Sequence, residues 1–204
     1  MFALIENQQI TKFYSGNKGV TLGDIQYPRS IFTLWSEAER NAIGIFEVTV
    51  DTTNKKDEEW YINTNISYGV ESNKAVGSYG AATAKAIDDT LWTQEDSDNG
   101  DLPSDKSVGD VKVEGLKTIK KRIVKQQAAG ILADTDWYIV RKADAGTAVP
   151  SAVTTHRAAV RTKSGEMETA INNAADVDAL AALYVYNDAN PPVRPLGEFP
   201  VLES

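Results

Sequence analysis

Residues 120–163 read KKRIVKQQAAGILADTDWYIVRKADAGTAVPSAVTTHRAAVRTK, which predicts a helix, a sharp stop, a loop carrying a large aromatic residue, and a second helix. The first helix begins a few residues earlier, and positions three or four apart define one of its faces. Those positions are Leu116, Ile119, Ile123, Gln127 and Ile131. Most basic residues between 117 and 125 fall on the other face, so we expect that face to be polar.

The stop lies at the acidic, turn-prone segment 134–136, and Trp137 follows it at once. A large ring just past a helix end usually folds back on that helix, because burying its apolar area is worth about 2–3 kcal/mol. We therefore predict that Trp137 is a buried structural anchor. Its expected neighbours are Ile131, Leu132 and Val153.

The second helix is predicted to open at Pro150-Ser151, since proline is tolerated in a first turn and serine is a good cap. Arg157 and Arg161 lie four residues apart on it. They could bind the carboxylates of a partner, or they could pair with Asp134 or Asp136 in the same stretch. We favour pairing within the chain.

Length and composition are those of an ordinary globular protein: 204 residues, 42% hydrophobic and 25% charged. No apolar run approaches eighteen residues, and the first residues lack the basic and long apolar regions of a secretory signal. The chain has no cysteine, which fits synthesis in a reducing cytoplasm. Its net charge of -8 argues against general nucleic-acid binding.

The N-terminal part has the pattern of strands. Residues 2–5 and 10–14 are apolar and β-prone around a polar turn, which predicts a hairpin. A capping box of Ser36 and Glu39 predicts a short helix over 36–41.

Two further strands are predicted at 43–50 and 60–68, where β-branched and aromatic residues dominate. The polar residues 51–59 between them are expected to form the loop of a second hairpin. These elements together predict an N-terminal antiparallel sheet.

The middle of the chain changes in composition. Residues 88–110 contain eight acidic residues and one lysine, together with Gly100, Pro103 and Gly109, which predicts an exposed linker. Six basic residues follow between 112 and 125, so the acidic linker and the basic helix are expected to touch. Trp92 lies in the acidic segment, where no local core is expected. It is therefore a candidate for docking on a partner or on another part of the chain.

The C-terminal part continues as short helices and a proline-rich tail. Gly165 is expected to punctuate the second helix, and Asp176 to cap a helix that starts at Val177. The tail at 191–200 has three prolines after its first, so it cannot be regular helix or central strand. We expect it to lie across the surface with Phe199 as an anchor that is also a candidate partner contact.

Residues 120–163 carry a resemblance to a known family. Phage tail fibre assembly proteins and tail assembly chaperones often end in a helical module with an Arg, two apolar residues, Thr-Asp-Trp, a spacer, and a Tyr-Arg-x-x-x-Arg-like helix. The matching residues are Arg122, Ile131-Leu132, Thr135-Asp136-Trp137, His156-Arg157 and Arg161. The chain departs from that pattern at His156, where a tyrosine is common, and in its longer, more polar spacer at 138–149.

The N-terminus resembles the opening of the same family. The similar segments are residues 1–13, Tyr27-Pro28, residues 34–41 and residues 44–48. The middle of the chain carries no such match.

No residue pattern predicts a catalytic, cofactor or metal site. His156 is the single histidine, and no ligand spacing surrounds it, so we expect a helix-surface or helix-packing role. Residues 96–101 resemble a calcium loop but lack the closing glutamate, so a solvated acidic loop is favoured. The four tryptophans are more often core or interface anchors than a carbohydrate platform.

The predicted fold class is α+β, with a β-rich domain at 1–87 containing an antiparallel sheet and a short helix, an acidic linker at 88–111, and a helical module with a proline-rich tail at 112–204. The resemblance implies a non-enzymatic protein that binds a phage tail fibre or baseplate protein, acting in the host cytoplasm during assembly. The alternative is a permanent component of the virion tail, such as a baseplate or fibre-attachment protein. Partner-binding candidates are Trp92, Arg157, Arg161 and Phe199, and neither nucleic acid nor membrane is an expected partner.

Overall fold

The computed structural model describes residues 1–202 and has the predicted α+β fold class, with a sheet-rich N-terminal part and a helical C-terminal part. Contacts divide the chain into two compact units, residues 1–83 and 84–204. The predicted boundaries lie instead at residues 87 and 111. The acidic segment belongs to the second unit and carries regular elements of its own.

The first unit is built on a five-stranded sheet with short strands and two short helices around it. The elements are β1 (Phe2–Glu6), β2 (Gln9–Tyr14), β3 (Val20–Leu22), β4 (Ile25–Tyr27), a 3-10 helix (Arg29–Phe32), α1 (Glu37–Ala42), β5 (Ile45–Asp51), β6 (Tyr61–Ile62), β7 (Ile66–Glu71), β8 (Lys74–Tyr79) and, at the boundary, β9 (Thr83–Ala84). The strand order of the sheet is β2-β1-β5-β8-β7.

Two local predictions in this unit are confirmed. The hairpin of β1 and β2 turns through Asn7 and Gln8, which both have positive φ angles. Helix α1 starts with a complete capping box, in which the Ser36 side chain accepts from the amide of Glu39 and the Glu39 carboxylate accepts from the amide of Ser36. Local sequence was sufficient for both elements.

The second predicted hairpin is wrong, and the sheet is not wholly antiparallel. Strand β5 pairs in parallel with β8, from Val48 opposite Ala75 to Asp51 opposite Ser78, and β7 pairs antiparallel with β8. The tight turn is at Ser72 and Asn73, where two positive φ angles give a geometry suited to a two-residue hairpin.

The loop after β5 is closed by its own side chains. The Asp51 carboxylate accepts from the amide of Thr53, and the Asn63 side chain bonds both main-chain polar groups of Lys56. These bonds stabilise an irregular connection over 51–63, so the chain does not return directly beside β5.

The core of the first unit lies between the sheet and the following short elements. Val20, Ile31, Phe32 and Ile45 are buried, and Phe2, Leu4, Tyr14, Leu22, Tyr27, Trp35 and Ile43 pack against them. The sheet curls until its edge strands meet through side chains. The Phe13 and Tyr68 rings lie 5.0 Å apart, and Gln8 Nε2 donates to Asn73 Oδ1 at 2.9 Å.

As far as residue 202, the second unit consists of a small hairpin, three helices of ten or more residues, two shorter helices and the tail. Its elements are β10 (Thr90–Leu91), α2 (Gln94–Asp98), β11 (Val111–Val113), α3 (Leu116–Ala133), α4 (Asp136–Ala145), α5 (Ser151–Asn173) and α6 (Val177–Ala182). Helices α3 and α5 pack side by side and supply most of the core. Asp176 caps α6 as predicted, with its side chain accepting from the amide of Ala179 at 2.8 Å.

The buried face of α3 is rotated from the predicted one. The buried residues are Leu116, Lys120, Val124 and Ala128, whereas Ile123 is 39% exposed. Lys120 can occupy a core position because its aliphatic stem is apolar and its ammonium lies 4.7 Å from the centre of the Tyr184 ring.

Helix α5 runs without a break through Gly165, where the predicted punctuation is wrong. A single glycine inside a helix costs only about 1 kcal/mol relative to alanine. The burial of Val153, Val160, Met167 and Ile171 along the same helix outweighs this cost.

The acidic segment differs from the predicted linker because it folds onto the start of α3. Asp88 pairs with Lys117 at 3.1 Å, which confirms the expected contact between acidic segment and basic helix. The Asp89 carboxylate accepts from the amide of Gly115 at 2.6 Å and from Thr118 Oγ1 at 2.9 Å. A side chain distant in sequence thus caps a helix that has no local side-chain cap.

Candidate functional site

The resemblance motif of the second unit forms a joint between α3, α4 and α5. Arg157 of α5 is buried, and its Nη1 donates to the Leu132 carbonyl and to Thr135 Oγ1, both at 2.7 Å. Its Nη2 lies 2.8 Å from the Asp136 carboxylate. One guanidinium therefore holds the end of α3, one of the two connecting residues and the first residue of α4.

This arrangement confirms the preferred prediction for Arg157, because its guanidinium pairs with a carboxylate of the same chain. Asp136, and not Asp134, is the carboxylate it uses. Arg161, the other predicted arginine, is exposed and its Nη1 lies 3.4 Å from the Arg157 carbonyl. The two arginines are thus brought together, but only Arg157 has a structural role at the joint.

Helix α4 replaces the loop that the sequence predicted after residue 136. Thr135 is its N-cap residue and Asp136 lies in its first turn, where a carboxylate interacts favourably with the helix dipole. Gly146 ends it in the left-handed conformation, with φ of 68°. The signal was present in the sequence as an acidic start and a glycine stop ten residues apart.

Trp137 is 51% exposed, so the predicted burial of this residue is wrong. Because α4 starts at Asp136, the tryptophan lies in a first helical turn and not in a loop that can fold back. The buried residue of this segment is Thr135, two residues earlier, with 4% exposure. The joint consequently displays the tryptophan on the surface.

Helix α4 has no buried residue, although it carries four large apolar or aromatic side chains. Ile139 is 43% exposed and Val140 is 65% exposed, while Tyr138 is partly buried. Single exposed apolar residues are common on proteins, but neighbouring ones on a short helix make a patch of the kind found at interaction sites. Positions 137, 140 and 141 are three and four residues apart, so they share one side of the helix, and the Tyr138 ring contacts the Trp137 ring there. We call Trp137, Tyr138, Val140 and Arg141 the α4 patch.

The polar centre of the α4 patch is Arg141. Its guanidinium carbon lies 4.6 Å from the centre of the Trp137 ring and 5.4 Å from that of Tyr138. The two rings are themselves 3.9 Å apart, with an angle of 32° between their planes. Arg141 and the rings therefore form one stacked cluster.

Phe199 contacts a different part of the second unit. It is partly buried and lines a cavity of about 330 Å³ with Ile131, Asp134, Thr135 and His156. The more deeply buried residue of the tail is Leu196, with 3% exposure, whose amide donates to the Leu183 carbonyl. His156 is buried in helix packing, as one of its two predicted roles requires.

Trp92 docks on its own hairpin, which is one of the two predicted alternatives. Its amide donates to the Asp110 carbonyl, and its own carbonyl accepts from the amide of Gly109. The ammonium of Lys112 lies 4.4 Å from the centre of its ring. The same ammonium lies 2.6 Å from Asp96, so tryptophan, lysine and aspartate order the acidic segment together.

The hydrogen bond from Lys112, followed by those from the amide and hydroxyl of Thr93, lowers the pKa of Asp96 to about 2. A folded-state pKa below the ordinary 3.8 means that the Asp96 carboxylate contributes stability above about pH 4, and that this contribution is lost as the pH falls towards 2.

The melting-temperature difference between wild type and Asp96→Asn should therefore shrink steadily from pH 5 to pH 2. A pH-independent difference for Asp96→Asn would contradict the assignment.

Comparison with protein family models, curated proteins and solved structures finds no match to this chain. Within residues 1–202, no group of three or more histidine, aspartate or glutamate side chains could hold a metal ion. No helix in that part of the chain is long and apolar enough to cross a membrane. Sequence reasoning missed Val140 and Arg141, because both lie in the segment that was read as a polar spacer.

Proposed function

We propose that this chain is a non-enzymatic phage protein that takes part in tail fibre assembly by binding a fibre or tail protein. The resemblance of both ends to tail fibre assembly proteins supports this proposal. The observation that carries it is the exposed α4 patch, held in place by the buried Arg157 joint. In the resemblance motif, Thr135, Asp136 and Arg157 build the joint, and Trp137 is the residue it presents.

The mechanism we propose is transient shielding. Fibre chains expose strand edges and apolar surfaces before they assemble, and such surfaces aggregate unless they are covered. A protein with a small exposed aromatic patch can bind them reversibly. Assembly of the fibre then buries the same surfaces and releases the protein.

The alternative is a permanent virion component that attaches the fibre or belongs to the baseplate. An ordered acidic segment and tail would favour it if neighbouring proteins were needed to order them. Both instead make contacts within the second unit, through Asp88, Asp89 and Leu196. Shielding during assembly is therefore our first proposal.

Purified virions should distinguish the two functions. We expect the chain to be absent from particles examined by mass spectrometry, yet to co-purify with the fibre protein from infected cells before assembly. Deleting its gene should reduce the yield of soluble fibre protein. A fixed copy number in washed virions would favour the structural alternative, and a normal yield of soluble fibre protein without the chain would contradict the shielding function.

A further inference from the structure

The guanidinium of Arg141 stands out in the second unit because no carboxylate pairs with it. Within residues 1–202, no hydrogen bond or ion pair involves Arg141, and its Nε is shielded from solvent without a partner. Asp136 is already used by Arg157, and Asp144 makes no ion pair with Arg141 although it lies one turn away. The Arg141 guanidinium thus contacts two aromatic rings and no carboxylate.

We propose that the α4 patch binds an apolar segment of the fibre protein that carries an aspartate or glutamate, and that this carboxylate pairs with Arg141. This inference rests on the proposed function and specifies the chemistry of its partner. Charge complementarity is the argument for this occupant, since an arginine on an aromatic surface offers paired donors that fit the two oxygens of a carboxylate. Trp137 and Val140 supply the apolar contact around that pair.

A second copy of the chain fits the patch less well. A ten-residue helix offers only a small contact area, whereas stable dimers usually bury about 800 Å² on each partner. The net charge of -8 repels a second copy, and it also repels a carboxylate of the fibre protein at long range. The pairing must therefore act at contact distance, so its loss should appear mainly as faster dissociation and only weakly in the association rate.

The test measures binding of the full-length chain to the purified tail fibre protein of the same phage by surface plasmon resonance. Trp137→Ala and Arg141→Gln should each raise Kd by about 30-fold, mostly through the dissociation rate. Lys142→Gln removes the same charge from the adjacent exposed position and should change Kd by less than about 2-fold. Circular dichroism checks that every variant is folded.

A second variant identifies the partner group directly. Arg141→Lys keeps the positive charge and provides an amine, which a carbodiimide joins to a carboxylate only when the two are in contact. We expect a cross-link from position 141 to an aspartate or glutamate of the fibre protein, seen by mass spectrometry and absent from wild type at this position.

The outcomes separate the inference from the function on which it rests. Wild-type affinity in both Trp137→Ala and Arg141→Gln would overturn the inference and leave the function standing, as would a cross-link to a second copy of the chain. Absence of any binding between wild-type chain and fibre protein would instead overturn the proposed function.

Discussion

Replacing Arg157 with methionine should lower the free energy of unfolding by about 2–4 kcal/mol, the largest loss we expect from a single side chain at the helix joint. Methionine has a similar length and fills much of the same space, so the loss reports the polar contacts. Two of these contacts involve the Leu132 carbonyl and the buried Thr135 hydroxyl, at 2.7 Å each. The ion pair with Asp136 adds less, because that carboxylate is 59% exposed.

Arg161→Met is the matched control, since it removes the same group one turn later on the same helix. Arg161 is exposed and makes one long contact, so we expect a change within about 0.5 kcal/mol. Urea denaturation measures both variants. Equal losses for the two arginines would show that Arg157 contributes helix propensity and surface charge, and not a joint.

Urea denaturation of Trp137→Ala distinguishes an exposed binding role of this ring from a role in core packing. A buried tryptophan in this position would cost about 3–5 kcal/mol on truncation. Because Trp137 is half exposed, we expect a small loss in unfolding free energy and a large loss in partner binding. A drop as large as that of Arg157→Met would show that the ring contributes to the core after all.

The sequence allowed pairing between arginine and aspartate within the joint to be predicted, but not which aspartate is used or the direction of the tryptophan. Arg157 and Arg161 were expected to pair with Asp134 or Asp136, because opposite charges occur in one short helical module, and the structure selects Arg157 with Asp136. The direction of Trp137 depends on where α4 begins, and the Thr135 hydroxyl at that start is held by Arg157, 22 residues away. A contact so distant in sequence leaves no periodic pattern in the residues near the tryptophan.

The rotated face of α3 has a similar origin. Hydrophobicity alone places Lys120 outside and Ile123 inside, whereas the fold does the reverse. The reason is the ring of Tyr184, which accepts the ammonium of Lys120 from a distant part of the second unit. A long amphipathic side chain can serve on either face, so its position follows from its tertiary neighbours.

In the first unit too, elements set by neighbouring residues were predicted, whereas a strand pairing between distant residues was not. Short-range signals predicted the β1–β2 hairpin and the capping box of α1. The parallel pairing of β5 with β8 joins Val48 to Ala75, although β6, β7 and their loops lie between the two strands in the sequence. Only the turn at Ser72 and Asn73 could have indicated that β8, and not β5, is the partner of β7.

For the candidate site, the sequence identified Trp137 but assigned it the wrong environment, and it did not identify Arg141. Both errors follow from the prediction that residues 138–149 form a polar spacer, whereas residues 136–145 form α4. The remaining candidates have contacts within the chain that account for them: Trp92 with Lys112, Arg157 with Asp136, and Phe199 in a small cavity.

Gly115→Ala should destabilise the second unit by about 2–4 kcal/mol, because the acidic segment lies directly against this position. The backbone of Gly115 has φ of -81° and ψ of 169°, which alanine adopts easily, so conformational strain is not the cause. The cause is space: an added Cβ would overlap the main-chain carbonyl group of Asp88. The main chain of Asp88 cannot move aside as easily as the end of a flexible side chain can.

Movement of this segment would break a set of bonds at the start of α3. The amides of Leu116 and Lys117 donate to the carbonyls of Ala86 and Ile87, both at 3.0 Å, and the amide of Gly115 donates to Asp89. These are amides that a helix leaves without internal partners at its N-terminus. The overlap therefore costs hydrogen bonds as well as packing.

Gly130→Ala provides the control within the same helix. A Cβ added at Gly130 meets nothing within 4 Å, and alanine is the better helix former, so this change should stabilise the protein by about 1 kcal/mol. Opposite signs for the two glycine-to-alanine substitutions in thermal melting are the expected result. A neutral or stabilising Gly115→Ala would mean that residues 86–89 do not pack against α3 in solution, and that the acidic segment is the free linker its composition suggests.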